Sequence, residues 1–124
     1  MTEDELQALL EKNLPAGDLH GVFVEECQEQ DVRLRFSLDS GESWSMPALL
    51  SLVDTALKAA AGVTMRLSHL NVTVLRPAQE ADVIALARVI RRDGEVVHAE
   101  AWLFSHAVVE PMLHATASLS TRLR

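Results

Sequence analysis

The chain is poor in cysteine, in aromatic residues and in positive charge. Its single cysteine, Cys27, has no partner for an internal disulfide, and without a second one there is no Cys-x-x-Cys pair or zinc ligand set. Cys27 reads as a small core or edge residue. Lysine and arginine number 11 against 18 aspartates and glutamates, a formal charge of −7. That balance argues against a general nucleic-acid binder, because neutralising phosphates takes clustered cations that dominate the local field. No stretch approaches the ~20 unbroken apolar residues of a membrane-spanning helix; the longest candidate, 48–63, is interrupted by Asp54 and Lys58. The amino terminus, Met-Thr-Glu-Asp-Glu, is acidic where a secretory signal is basic, and no apolar segment follows it. The expectation is a cytoplasmic protein with neither a membrane nor a nucleic acid as partner. What is present is an ordinary apolar fraction, 48% of 124 residues, enough for one domain with its own core.

Periodicity divides the chain into eight elements. Thr2 and Glu5 have the spacing of a capping box, and Leu6, Leu9 and Leu10 then share a face, which predicts a short helix over 3–13, ended by Pro15 and Gly17. Residues 1–16 are thus an N-terminal helix and linker on a single domain, 1–124. Strands are predicted over 19–27 and 31–38, the second alternating Val32, Leu34, Phe36 and Leu38 with Arg33, Arg35 and Ser37. A loop from Asp39 to Ser45 leads to Pro47, in the first turn of a helix over 47–61 that Gly62 ends. This helix is apolar on most sides, with Ser51, Asp54, Thr55 and Lys58 on a narrow polar stripe, so it is buried. Four strand-like runs follow, 63–75, 81–90, 95–104 and 112–123, with the Asp93-Gly94 signal of a tight hairpin between the second and third. One buried helix and six strands predict an α+β fold in which a curved antiparallel sheet wraps a central helix.

A carboxylate midway along a buried helix costs free energy unless it is paired or used. Asp54 is therefore either half of an i, i+4 pair with Lys58 or a general base or nucleophile tuned by partial burial. The start of the same helix offers backbone N–H groups and the positive dipole end, which suit a developing oxyanion. Pro47 has no N–H, so Met46 is the donor. Eight residues at ~1.5 Å each separate Met46 from Asp54 by ~12 Å, too far for both to act on one carbonyl. Two helices antiparallel across a twofold axis would bring Met46 of one copy near Asp54 of the other.

The stretch Ser45-Met-Pro-Ala-Leu-Leu-Ser-Leu-Val-Asp54-Thr-Ala, followed by Asn71-Val-Thr-Val-Leu-Arg-Pro77-Ala and the Arg91-Arg-Asp-Gly-Glu hairpin, resembles the hotdog-fold acyl-CoA thioesterases of the PaaI-like group. The similarity spans roughly residues 17–124. It implies a curved antiparallel sheet around a central helix, dimers or dimers of dimers, an acyl thioester substrate and no cofactor beyond the coenzyme A it carries. Carried over by position, Asp54 matches the family carboxylate that activates water or attacks the thioester, and Met46 the backbone oxyanion donor. The usual family residues at Ser45, Met46 and Pro47 are His-Gly-Gly; Ser-Gly-Pro occurs in some relatives, and Met46 adds a side chain where the thioester approaches. Asp39 falls near a loop position that is Asn or Gln in some members, and Ser68 near a polar site residue on the following strand.

Of the histidines at 20, 69, 98, 106 and 114, none has the helix spacing to Asp54 or to another histidine of a metal site or nucleophile–base pair. Each reads as structural, with His69 kept as a site candidate because it follows Ser68. Dehydration chemistry, which pairs a histidine with the helix carboxylate, is disfavoured. Coenzyme A phosphates need a local cationic patch, for which Arg76, Arg88, Arg91 and Arg92 are the candidates, although for Arg91 and Arg92 the stronger reading is that of ordinary charged residues beside an exposed turn. Trp44 is open to three roles: lining an acyl or aryl pocket, plugging its entrance, or packing between subunits. An acyl-binding protein without turnover is the alternative to a thioesterase.

Overall fold

The computed structural model describes residues 2–13, 21–38, 43–78, 80–106 and 110–121. Helix α1 (Glu3–Asn13) begins as its sequence dictates: Thr2 N–H donates to Glu5 Oε1 and Glu5 N–H to Thr2 Oγ1, both at 3.2 Å. This reciprocal box satisfies donors that a helix start leaves unpaired. Leu6 and Leu10 are buried and Leu9 partly so. Pro15 and Gly17, given above as its stop, lie outside the described residues, as do His20 and Asp39.

Six strands follow with α2 (Met46–Ala61) inserted after the second: β1 (Val22–Cys27), β2 (Asp31–Phe36), β3 (Arg66–Val74), β4 (Val83–Asp93), β5 (Val96–Ser105) and β6 (Pro111–Ser120). They form one sheet in the order β1-β2-β4-β5-β6-β3, with every neighbouring pair antiparallel. The α+β arrangement expected from the pattern is the one observed. Strand β4 runs three residues beyond its expected end, and the hairpin turn falls on Gly94-Glu95, between paired Asp93 and Val96, with Gly94 at φ 63°. A primed two-residue turn needs that positive φ, which glycine adopts at no steric cost.

The core lies between α2 and one face of the sheet. Leu52, Val53, Ala56 and Leu57 are fully buried, opposite Leu34, Ala85, Ala99, Ala101, Leu103, Ala115 and Leu119. Alanines recur in the central strands β4, β5 and β6, and small side chains there let the helix lie close to the sheet. Thr55, expected on the polar stripe, is buried instead; its hydroxyl donates to Ser51 O at 3.0 Å and so needs no water.

Candidate functional site

Among the described residues, the start of α2 has one uncommitted donor. Ser45 is the N-cap, extended at φ −84° and ψ 161°, and its Oγ accepts from Ala48 N–H at 3.3 Å. Leu49 N–H donates to Ser45 O at 3.0 Å, and Pro47 has no N–H. Among the described hydrogen bonds only the Met46 N–H remains unpaired in this turn, at the positive end of the helix dipole. Met46 is 44% exposed.

Two adjacent residues just ahead of β4, Ala81 and Asp82, fix this helix start. Leu38 N–H donates to Asp82 Oδ1 at 3.0 Å, while the Trp44 ring N–H donates to Ala81 O at 2.7 Å. Both ends of the 38–44 segment are thus tied just ahead of β4. Arg35 completes the tie through Nε and Nη2, at 3.0 and 2.8 Å from Asp82 Oδ2. The Leu38 N–H, and after it Arg35, hold the Asp82 carboxyl below its usual range. Trp44 is buried in the core, so its ring anchors the helix entry.

Two turns further along α2, Asp54 sits with its side chain 35% exposed, and Lys58 Nζ is 3.1 Å from its Oδ2. The i, i+4 pair is therefore formed. Oδ1 has no partner among the described residues.

Strand β3 does not bring its two candidates to the helix face. Leu67, Leu70, Val72 and Val74 pair with Leu119, Ala117, Ala115 and Leu113, which face the core. A bulge at Ser68 shifts the register, so that His69 pairs with Ser118, on the outer side of the sheet, along with Asn71 and Thr73. The Ser68 hydroxyl donates to Ser118 O at 3.0 Å.

No family model matches the chain, and no curated protein matches it in sequence. Solved structures match over nearly its whole length. The Escherichia coli PaaI protein of the phenylacetic acid degradation operon has a TM-score of 0.75 over 94% of this chain and 95% of its own, at 15% identity. Zebra fish thioesterase superfamily member 2 gives 0.76 over 97% and 95%, at 14% identity. A mutant thioesterase from Pseudomonas aeruginosa gives 0.75 over 97% and 93%, at 17% identity. This is the hotdog fold.

Around the hotdog helix, the four candidate arginines do not gather. Arg76 N–H donates to Met112 O, and Arg76 pairs with Glu110 at 2.6 Å. The neighbouring Leu113 lies level with Leu103 and Ala85, seven residues from Arg92, so Arg76 and Arg92 are roughly 23 Å apart along the strands. Arg91 pairs with Asp93 at 2.9 Å, and Arg92 Nη2 donates to Ala61 O, capping the end of the hotdog helix. Arg88 lies on the outer face with Glu100. Within the chain these four residues form no phosphate patch.

Sequence reasoning missed that outer-face cluster. Glu100, whose side chain is 11% exposed, binds Arg88 Nε at 2.6 Å and His114 Nε2 at 2.9 Å, and the His114 ring lies 3.9 Å from that of Trp102. The sequence signal was a glutamate among alanines in an apolar strand. The bond to His114, then Arg88, lowers the Glu100 carboxyl against an opposing effect of burial. A carboxyl lowered on folding stabilises the protein above its unfolded pKa and loses that contribution as pH falls through the folded one. The melting-temperature advantage of wild type over Glu100→Gln is accordingly expected to be full above about pH 4.3, the ordinary glutamate value, and to shrink below it. Melts of both proteins from neutral to acid pH check this, and a constant gap contradicts it.

A cavity of about 420 Å³ opens on the same outer face, lined by Trp102, Leu86, Arg33 and Arg88 among others. Another, of about 240 Å³, lies where α1 meets the end of α2, beside Cys27, whose thiol is pushed up by burial, and Arg92. Neither reaches Met46 or Asp54. Among the described residues, no three His, Cys, Asp or Glu side chains are grouped to hold a metal ion, and no helix is long and apolar enough to cross a membrane.

Proposed function

We propose that this chain is a cytoplasmic thioesterase that hydrolyses an acyl-CoA or related acyl thioester. Asp54 acts as general base toward water or as nucleophile on the thioester carbonyl, and the Met46 N–H donates to the oxyanion. The observation that carries this reading is the pairing, on one buried hotdog helix, of an uncommitted N-terminal N–H with a carboxylate that keeps one oxygen free. The ~12 Å between them along the helix calls for a second copy, so the working unit is a homodimer with two equivalent sites, or a dimer of dimers. Water attacks the carbonyl as Asp54 takes its proton, the oxyanion collapses with cleavage of the carbon–sulfur bond, and Asp54 returns the proton to the leaving thiolate, giving acid and thiol. The chemistry needs no metal or cofactor beyond the coenzyme A of the substrate. Ser45 caps the helix and Pro47 shapes its first turn, so both serve the oxyanion donor indirectly. Asp39, Ser68, His69 and the four arginines are left as candidates for substrate contact in the assembled dimer.

Thiol release from short, long and aryl acyl-CoAs tests the reading, and turnover of any of them supports it. The Lys58–Asp54 pair and the half-exposed Met46 side chain at the helix start favour a second reading, in which acyl-CoA or a fatty acyl group is bound and not turned over. Binding without thiol release on the whole panel would select it.

A further inference from the structure

A sheet of six strands has two edges, and one of them is plugged. The Gln7 side chain of α1 donates through Nε2 to Val22 O at 3.0 Å and accepts through Oε1 from Val24 N–H at 2.8 Å. These two bonds, either side of Phe23, are the pair that one residue of a parallel neighbouring strand would make. Phe23 itself pairs with Arg35 of β2 on the other side. One glutamine amide thus stands in for a seventh strand. The contact comes from 15 to 17 residues away in sequence and is half-buried; Glu11 Oε1 holds the same Nε2 at 3.1 Å.

We propose that Gln7 is an assembly stop: it caps the β1 edge, so that a second copy of this chain cannot add a strand there. The consequence follows by counting. A protomer with one open edge forms a closed pair, while a protomer with two open edges adds copies without end. The occupant that Gln7 excludes is a second copy. Once the edge is uncovered, Val22 and Val24 of two copies can pair antiparallel across a twofold axis, and the 57% exposed Phe23 side chains add apolar area to that contact. Helix α1 is held by the buried Leu6 and Leu10 as well as by Gln7. At 11 residues it is too short to persist once undocked. Removing the Gln7 amide leaves Val22 O and Val24 N–H unpaired beneath it and tips the balance toward undocking. The proposal does not depend on the chemistry at Asp54.

The test compares wild type with Gln7→Ala and Gln7→Glu in the full chain. Amide hydrogen exchange is read at Val24, and mass is read by light scattering over a concentration series. Gln7→Ala is expected to speed Val24 exchange about tenfold, a change of the size of one net hydrogen bond, and to give species heavier than the wild-type assembly that grow with concentration. Gln7→Glu keeps the acceptor for Val24 N–H but sets a carboxylate against Val22 O, so its expected behaviour is intermediate. Wild-type exchange at Val24 in Gln7→Ala overturns the proposal. So does faster exchange with a mass that stays at the wild-type value at every concentration.

Discussion

Asp54→Asn is expected to lower the rate of thiol release from the preferred acyl-CoA at least ~100-fold, the loss typical of a positioned general base, with KM changed little. The substitution keeps the shape of the side chain, and its Oδ1 can still accept from Lys58. It removes the ability to take a proton or to attack a carbonyl. The thermal melt separates this role from a structural one. The Lys58–Asp54 pair joins side chains 24% and 35% exposed, one helical turn apart, and such pairs contribute a few tenths of a kcal/mol, about 0.3–0.5. A melting temperature within a few degrees of wild type, with hydrolysis gone, assigns Asp54 to catalysis. A large drop in melting temperature with hydrolysis intact assigns it to stability and sinks the proposed mechanism.

Met46→Pro is expected to cost a similar or larger factor, ~10²–10³ in kcat, the range seen when one oxyanion donor is removed. The backbone is already suited to this change. Ser45 at φ −84° and ψ 161° has the extended conformation that a residue before proline takes, and proline is favoured in the first turn of a helix. The N–H lost is the one that no described group uses. Met46→Ala is the control, because it keeps the N–H and trims the side chain; retained or raised turnover there, with loss in Met46→Pro, isolates the backbone donor. Equal losses in both would mean that the methionine side chain, and not its amide, serves the reaction.

The elements were largely legible in the sequence because their signals are local. The capping box at Thr2 and Glu5, the alternation from Val32 to Phe36, the apolar circumference of α2 and the Asp93-Gly94 turn each depend on residues a few positions apart, and each stands close to where it was expected. The helix half of the candidate site was legible for the same reason, since the Ser45 cap, Pro47, Met46 and Asp54 are one helix. The strand half was not. A bulge at Ser68 turns His69 to the outer face, and a period-2 pattern has no means of announcing a one-residue slip. The arginines near one another in sequence, Arg88, Arg91 and Arg92, reach three different partners because another bulge, at Ile90, interrupts the alternation of β4. Gln7 on β1 and Trp44 on Ala81 are long-range contacts that only the assembled fold brings together.

The tie at Ala81 and Asp82 separates two jobs that a loop usually shares. Because Leu38 and Trp44 are each fastened to this one spot, the entry of α2 is set by the anchors and not by the length of chain between them. Doubling the length of a connection adds only about 0.6 kcal/mol of closure entropy, so insertions between Leu38 and Trp44 are expected to leave Ser45 and Met46 in place. New sequence can then be grafted there, by evolution or at the bench, without resetting the Met46 N–H.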